Sequence, residues 1–237
     1  MTDGEASRPR RFATTRWSVV LATADSDADV ARAALADLCS AYWYPLYADA
    51  RRRGAASADA EDLVQGFLAA LIEKDWAAGA DPDRGKFRTF LVTAFRRFAS
   101  HERERERAAK RGGGAVLPLD FSSAESRYHA EPVDPRTPDR AFERRWALTL
   151  LGRALDRVRA TRPEDADLLP FVGGPGDDLP YAEIAARRGS SEGAVKVAVH
   201  RLRARFREAL RAEVRDTVSD EADVDAEIRH LREAVAG

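Results

Sequence analysis

The chain has 237 residues, of which 44% are hydrophobic and 33% are charged, and its formal net charge is −1. This length allows one large domain or two small ones, and the hydrophobic fraction is enough to build ordinary cores. The single cysteine, Cys39, excludes an intrachain disulfide and a cysteine-based zinc site. The four histidines lack the spacing of metal ligands, so the sequence predicts neither a metal nor a cofactor.

The sequence has no long apolar segment. No run approaches the roughly 20 apolar residues that a membrane-spanning helix needs. Residues 1–16 also lack the apolar centre of a secretory signal peptide. We therefore expect a cytoplasmic protein that does not associate with a membrane.

An N-terminal segment, residues 1–30, precedes the first helical pattern, and its first dozen residues are polar. Between residues 31 and 111, apolar residues recur at three- and four-residue spacing in three stretches, which predicts three helices. Pro45 falls inside the first of them and is expected to kink or divide it. We interpret residues 31–111 as one small helical domain.

Helical periodicity disappears between residues 112 and 139. Three consecutive glycines and several prolines occupy this stretch, which predicts a flexible linker. Its apolar residues Leu117, Leu119 and Phe121 indicate that part of the linker docks onto another surface.

Periodicity resumes over residues 140–211, which we interpret as a second small helical domain. Residues 212–237 follow as an amphipathic, acidic C-terminal extension. No stretch shows the alternation of apolar and polar residues that predicts a strand. The sequence therefore predicts an all-α fold of two small helical domains, a flexible linker and a C-terminal helical extension.

Charge is segregated in the second half of the chain. Residues 187–211 contain eight Arg or Lys against two Glu, a balance of +6. Residues 212–237 contain three Arg against eight Asp or Glu, a balance of −5. A basic segment followed by an acidic one is typical of nucleic-acid contact with an acidic tail. Two interpretations of the tail remain open: it packs as one more amphipathic helix, or it masks the basic segment.

Residues 179–211 have the pattern of a helix-turn-helix. Ala185 supplies a small residue where two helices cross, Gly189 lies in the turn, and Ser190 or Ser191 can cap the second helix. A basic face opposite an apolar one is typical of a helix that enters the major groove of DNA, although a solvated surface helix has the same pattern. The apolar stripe is Val195, Val199, Leu202 and Phe206, and the basic stripe is Lys196, His200, Arg203 and Arg207 with Arg201 alongside.

Three segments resemble one protein family. YAEIAARRGSSEGAVKVAVHRLRARFREAL, residues 181–210, resembles region 4 of the extracytoplasmic-function (ECF) sigma factors, a subfamily of the sigma-70 family of bacterial RNA polymerase subunits. DAEDLVQGFLAALIEK, residues 59–74, is similar to sigma region 2.2. GKFRTFLVTAFRRFASHERERERAAKR, residues 85–111, resembles regions 2.3 and 2.4. The resemblance covers about residues 35–111 and 140–211, in the family's order and with a linker between the two modules.

The resemblance implies three sets of contact residues. In region 4, the residues at the −35 promoter element would be Ser191, Lys196, Val197, His200, Arg201, Arg203 and Arg205. In regions 2.3 and 2.4, which melt and hold the −10 element, they would be Lys86, Arg88, Arg96, Arg97, His101 and Arg103. In region 2.2, the residues of this chain that contact the polymerase would be Glu61, Asp62 and Gln65.

The implied function is that of a sigma factor, which directs promoter recognition, melting and transcription initiation. Its implied partners are promoter DNA and core RNA polymerase, contacted at the β′ clamp helices and the β flap. Loop residues 80–86 would capture a flipped base, and linker residues 118–128 would thread towards the polymerase active-site cleft. An anti-sigma factor is a further kind of partner, which the sequence leaves open.

Simpler interpretations exist for parts of this pattern. The acidic residues near Glu61 suit the first turn of any helix. Phe90, Phe95 and Phe98 fit a core better than a base-stacking platform, and the alternating Glu/Arg run at 102–107 fits a solvated helix.

No catalytic pattern stands out, so the sequence predicts that the chain is not an enzyme. There is no Ser/His/Asp set, and the glycine run at 112–114 lacks the Lys-Ser/Thr of a phosphate-binding loop. The main alternative is a stand-alone helix-turn-helix regulator that binds duplex DNA without polymerase. A second is a nucleic-acid enzyme such as a recombinase, which would need a nucleophile in the first domain.

Overall fold

The computed structural model describes residues 28–73, 86–108, 119–130, 137–173, 180–218 and 220–236. Within these ranges the chain forms helices joined by turns and no β-strand, so the predicted all-α fold is confirmed there. Residues 74–85, most of the predicted N-terminal segment, and linker residues 112–118 and 131–136 lie outside the described residues. The α-helices are α1 (Ala28–Arg52), α2 (Ser57–Glu73), α3 (Phe87–Ala108), α4 (Ala124–Ala130), α5 (Pro138–Thr161), α6 (Tyr181–Arg188), α7 (Glu192–Arg215) and α8 (Val224–Ala236), and the 3₁₀ helices are η1 (Pro163–Phe171) and η2 (Glu221–Asp223).

The first helix, α1, continues through Pro45, so of the two expected effects of this proline, a kink or a division, the division is wrong. Pro45 lies in the most buried part of α1, where Tyr44, Leu46 and Tyr47 have almost no exposed surface. Burial of large apolar side chains on both sides of the proline offsets the hydrogen bond that its nitrogen cannot donate.

The larger hydrophobic cluster crosses the boundary between the two predicted domains. It joins α1, α2 and α3 to the first half of α5, the end of α7 and α8. Near its centre, Trp146 and Leu150 of α5 are fully buried, and α1 packs along α5. Helix α5 therefore contributes to the core of the N-terminal half as much as to that of the C-terminal half. The buried clusters do not follow the predicted division between residues 139 and 140.

A smaller hydrophobic cluster lies beneath α6 and the first half of α7. Helix η1 covers one side of it, and the end of α5 contributes Val158. The buried members are Val158, Leu168, Leu169, Val172, Ile184, Ala185, Val195, Val199 and Leu202. This cluster gives the predicted helix-turn-helix a small core of its own.

The predicted docking of the linker is confirmed for Leu119 and Phe121, whereas Leu117 lies outside the described residues. Both described side chains pack against the larger cluster, and the ring of Phe121 lies 4.9 Å from that of Trp43 of α1. In α4, the Arg127 guanidinium lies 3.6 Å from the ring centre of Tyr44. Residues 119–130 thus lie against α1 in this structure.

A carboxylate anchors this docked segment. Glu125 accepts hydrogen bonds from the Tyr47 hydroxyl and from Arg51, whose Nη2 lies 2.6 Å from Oε1. We expect Glu125→Ala to weaken the docking of residues 119–130 by about 1–2 kcal/mol, towards the lower end because about a third of the side chain is exposed. Amide hydrogen exchange in α4 measures the effect, and the exposed Ser126→Ala on the same helix is the control.

The same contact makes the docking dependent on pH. The hydrogen bonds from Tyr47 and Arg51 lower the pKa of Glu125 from 4.5 to about 2. Because the pKa is depressed in the docked form, the contribution is complete above pH 4.5 and is lost as the pH falls towards 2. Protection of the α4 amides, taken relative to the intrinsic exchange rate at each pH, that does not fall over this range while α5 stays protected would contradict the assignment.

Candidate nucleic-acid interface

The turn between α6 and α7 has the geometry that the sequence predicts. Gly189 ends α6 in the left-handed conformation, with φ of 60°, which glycine adopts without steric cost. Ser191 precedes α7, and its Oγ accepts a hydrogen bond from the Ala194 nitrogen at 3.2 Å. Ala185 is buried where the two helices meet. A capped three-residue turn therefore fixes how α7 is presented.

Helix η1 braces this arrangement through a buried carboxylate. Asp165 accepts hydrogen bonds from Arg188 of α6, at 2.9 Å, and from Arg162, at 3.0 Å. Burial raises the pKa of Asp165, but these two hydrogen bonds outweigh it and hold the pKa below its ordinary value. The carboxylate therefore stays charged and holds α6 to η1 at neutral pH.

The outer face of α7 is exposed and basic. Lys196, His200, Arg201 and Arg205 are all exposed, and between them lies Val197, which is 49% exposed. Val197 is the only large hydrophobic side chain with such exposure among the described residues. Cationic side chains around one apolar side chain suit DNA, since cations bind phosphates and an apolar group can contact a thymine methyl.

Two shallow depressions adjoin this face. Arg162 lines the first together with Arg201 and Arg205, and Tyr181 lines the second. The Lys196 ammonium lies 5.2 Å from the centre of the Tyr181 ring. Sequence reasoning missed Arg162 and Tyr181, because neither belongs to the periodic stripe on α7.

Two residues of the predicted −35 set have other contacts in the structure. The Ser191 hydroxyl caps α7, as described above. Arg203 is half-buried, and its Nη2 donates to the Phe171 carbonyl oxygen at 3.0 Å. Ser191 is exposed as well as bonded, so the exposed members of the predicted set are Ser191, Lys196, Val197, His200, Arg201 and Arg205.

The cations predicted at the −10 element fall into two groups. Arg97, His101 and Arg103 are exposed on the outer side of α3. Lys86, Arg88 and Arg96 are instead engaged by carboxylates of the chain itself.

Arg88 is the most enclosed of the engaged cations. It is 3% exposed, its Nε lies 2.6 Å from Glu143 Oε2 of α5, and its Nη1 contacts Glu227 of α8. The Lys86 ammonium lies 2.7 Å from Glu227 Oε2. Two carboxylates from distant parts of the chain thus enclose Arg88 in this conformation, and a phosphate would have to displace one of them to reach it, so its contact with DNA stays a prediction.

Arg96 forms an ion pair with a buried carboxylate. Its Nη2 lies 2.9 Å from Oδ1 of Asp49, which is 2% exposed, and its Nη1 lies 2.5 Å from Asp139. Arg96 thereby joins α1 to the start of α5, and this contact accounts for its position without DNA.

The predicted polymerase-contact residues lie on one side of α2. Asp62 is exposed, whereas Glu61 and Gln65 are partly covered, and the Ser57 hydroxyl lies 3.3 Å from Glu61 Oε1.

The predicted base-capturing loop lies outside the described residues except for Lys86. On α3, Phe95 is buried, and Phe90 and Phe98 pack against the larger cluster, in agreement with their interpretation as core residues.

The described residues include no group of three or more His, Cys, Asp or Glu arranged to hold a metal ion. In the same part of the chain, no helix has the length and apolar character to cross a membrane. Together, the geometry defines an all-helical protein with a helix-turn-helix that presents an exposed basic face. Comparisons of the chain with protein-family models, curated proteins and solved structures gave no match.

Proposed function

We propose that this chain is a sigma factor that binds core RNA polymerase and directs promoter recognition, melting and transcription initiation. The observation that carries the proposal is the exposed basic face of α7, presented by a capped turn and backed by its own small core. A helix held rigidly in this way can enter a major groove with little ordering cost.

The exposed acidic surface of α2 supports the proposed binding to core RNA polymerase. The Asp62 carboxylate projects from a helix whose other face is packed into the core, with Val64, Phe67 and Leu68 fully buried. An exposed carboxylate on a rigid helix can pair with an arginine on a partner helix. In a sigma factor this partner helix would be one of the clamp helices of the polymerase β′ subunit.

The test is in vitro transcription with purified core polymerase, on templates that include the chain's own upstream region. We expect Asp62→Ala and Lys196→Ala each to reduce specific transcripts about tenfold, because one hydrogen-bonded charge contributes about 1.5–3 kcal/mol. Asp62→Ala should reduce binding to core in a pull-down, whereas Lys196→Ala should leave that binding unchanged. The matched controls are Glu233→Ala and Arg140→Ala, which remove exposed charges elsewhere.

A stand-alone helix-turn-helix regulator is the second candidate. It is favoured by one observation: the basic face of α7 is exposed while Lys86, Arg88 and Arg96 are paired with carboxylates. This candidate predicts a shifted DNA duplex with no binding to core polymerase. Detection of core binding that depends on Asp62 would exclude it.

A further inference from the structure

The C-terminal helix α8 inserts a carboxylate into the cationic start of α3. Glu227 is 3% exposed and contacts both Lys86 and Arg88. On the other side of Arg88, Glu143 of α5 is bound in turn by His230 of α8, at 2.9 Å from Nε2. Two residues of α8 therefore complete an ion cluster with Lys86, which immediately precedes α3, and Arg88, which lies in its first turn.

This cluster links the start of α3 to α8 through ion pairs. Over their described residues the backbones of these two helices do not pack closely against each other, and long charged side chains span the space between them. By contrast, α8 packs directly on α5 and α7, with Val224 and Leu231 buried in the larger cluster.

A buried ion cluster is not needed to hold such a helix in place. Removing charges from water costs about as much as their attraction returns, and apolar residues of similar volume stabilise an interior as well or better. Charged pairs differ from apolar ones in being exchangeable, since another anion can take the place of a carboxylate on Lys or Arg. The cluster therefore has the chemistry of a replaceable contact.

We propose that α8 is an internal competitor of single-stranded DNA for Lys86 and Arg88. Glu227 takes the position on these cations that a backbone phosphate would otherwise occupy, so the chain is closed until a nucleic-acid strand displaces the carboxylate. The assignment of single-stranded DNA as the competing anion rests on the proposed sigma function; the closure by α8 rests on the contacts alone.

Local charge supports this competition. With Glu227 in place, the charges of Lys86 and Arg88 are balanced by those of Glu227 and Glu143, so the attraction of the site for a phosphate is weakened. Without Glu227, the site carries one net positive charge.

The first experiment compares the full-length protein with Glu227→Gln, which keeps the shape of the side chain and removes its charge. We expect a fluorescein-labelled single-stranded DNA to bind the variant about tenfold more tightly by fluorescence anisotropy at low salt. Asp225→Asn is the matched control: it removes a charge from the same helix, but its partner Arg211 is solvent-exposed, so affinity should change less than twofold. Adding Lys86→Gln to Glu227→Gln should abolish most of the gain.

A second experiment uses the unaltered protein and so does not depend on how a variant folds. Adding the single-stranded DNA should increase amide hydrogen exchange in residues 224–236 while α1 remains protected, because the strand displaces α8. Unchanged exchange in α8 together with unchanged affinity of Glu227→Gln would overturn the proposal. These outcomes are separate from the sigma function, which fails only if core polymerase is not bound or specific transcripts are absent.

Discussion

Replacing Trp146 by alanine lowers the free energy of unfolding by about 3–5 kcal/mol, the largest effect that we expect from a single substitution. Trp146 is fully buried in α5, at the junction between α1, α3 and α8. Its ring also lies 4.5 Å from the guanidinium carbon of Arg88, so the substitution removes both apolar packing and a cation–π interaction. Urea denaturation followed by far-ultraviolet circular dichroism measures the change.

Trp43→Ala is the control for this substitution, because Trp43 is only partly buried and lies at the docked linker segment. We expect it to lower the stability clearly less than Trp146→Ala. The unaltered protein should unfold in one transition, since the larger cluster extends from α1 to α8. Two separate transitions, with Trp146→Ala affecting only one, would show that the halves fold independently.

The features that the sequence predicts well are local ones. The turn at Gly189 and the cap at Ser191 depend on the residues within a few positions of them, and the structure has both. The apolar stripe Val195, Val199 and Leu202 is buried for the same reason, because the 3.6-residue period alone determines which side chains share a face.

The sequence pattern could not predict contacts between residues that are far apart in the chain. Arg88 and Glu227 are 139 positions apart, and nothing in the neighbourhood of either residue indicates the other. The partners of α5 could not be predicted for a related reason: the periodicity of α5 shows that one face is buried but not which helix covers it, and α1 covers much of it.

The acidic tail shows how apolar contacts determine where charges pair. The charge balance allowed the tail to mask the basic face of α7, but the structure supports the simpler interpretation of one more packed amphipathic helix. Burial of Val224 and Leu231 docks α8 beside the end of α7, where Asp225 pairs with Arg211. Lys196 and its neighbours, near the other end of α7, remain exposed.

Because α8 packs into the core, deleting the acidic tail does not test the effect of its charge alone. Removing every residue after Arg211 would delete four buried members of the larger cluster, which are Val214, Val218, Val224 and Leu231. Such a deletion changes stability as well as charge, so its effect on DNA binding would have no single cause. A point substitution at Glu227 alters the charge and leaves these apolar contacts in place.

The exposed cations of α7 provide the second prediction with a large effect. We expect the triple variant Lys196→Gln, Arg201→Gln and Arg205→Gln to bind a mixed-sequence DNA duplex more than tenfold more weakly at low salt. Each cation that neutralises a phosphate releases counterions, and this adds about 0.9 to the magnitude of the slope of log K against log salt concentration. Because the variant neutralises three fewer phosphates, the magnitude of its slope should be smaller by about 2.7. Fluorescence anisotropy over a salt series measures both quantities.

A triple variant with the same change of net charge separates a specific face from a general attraction. Arg140→Gln, Arg229→Gln and Arg232→Gln neutralise exposed arginines on α5 and α8. If α7 is the interface, this control should leave the slope almost unchanged, because distant charges are screened within about 10 Å at 0.1 M salt. An equal decrease of the slope in both triple variants would mean that DNA responds to the charge of the whole protein, and α7 would no longer be the candidate interface. A decrease confined to the α7 variant would instead locate duplex binding on the face that Gly189 and Ser191 position, whether or not polymerase is present.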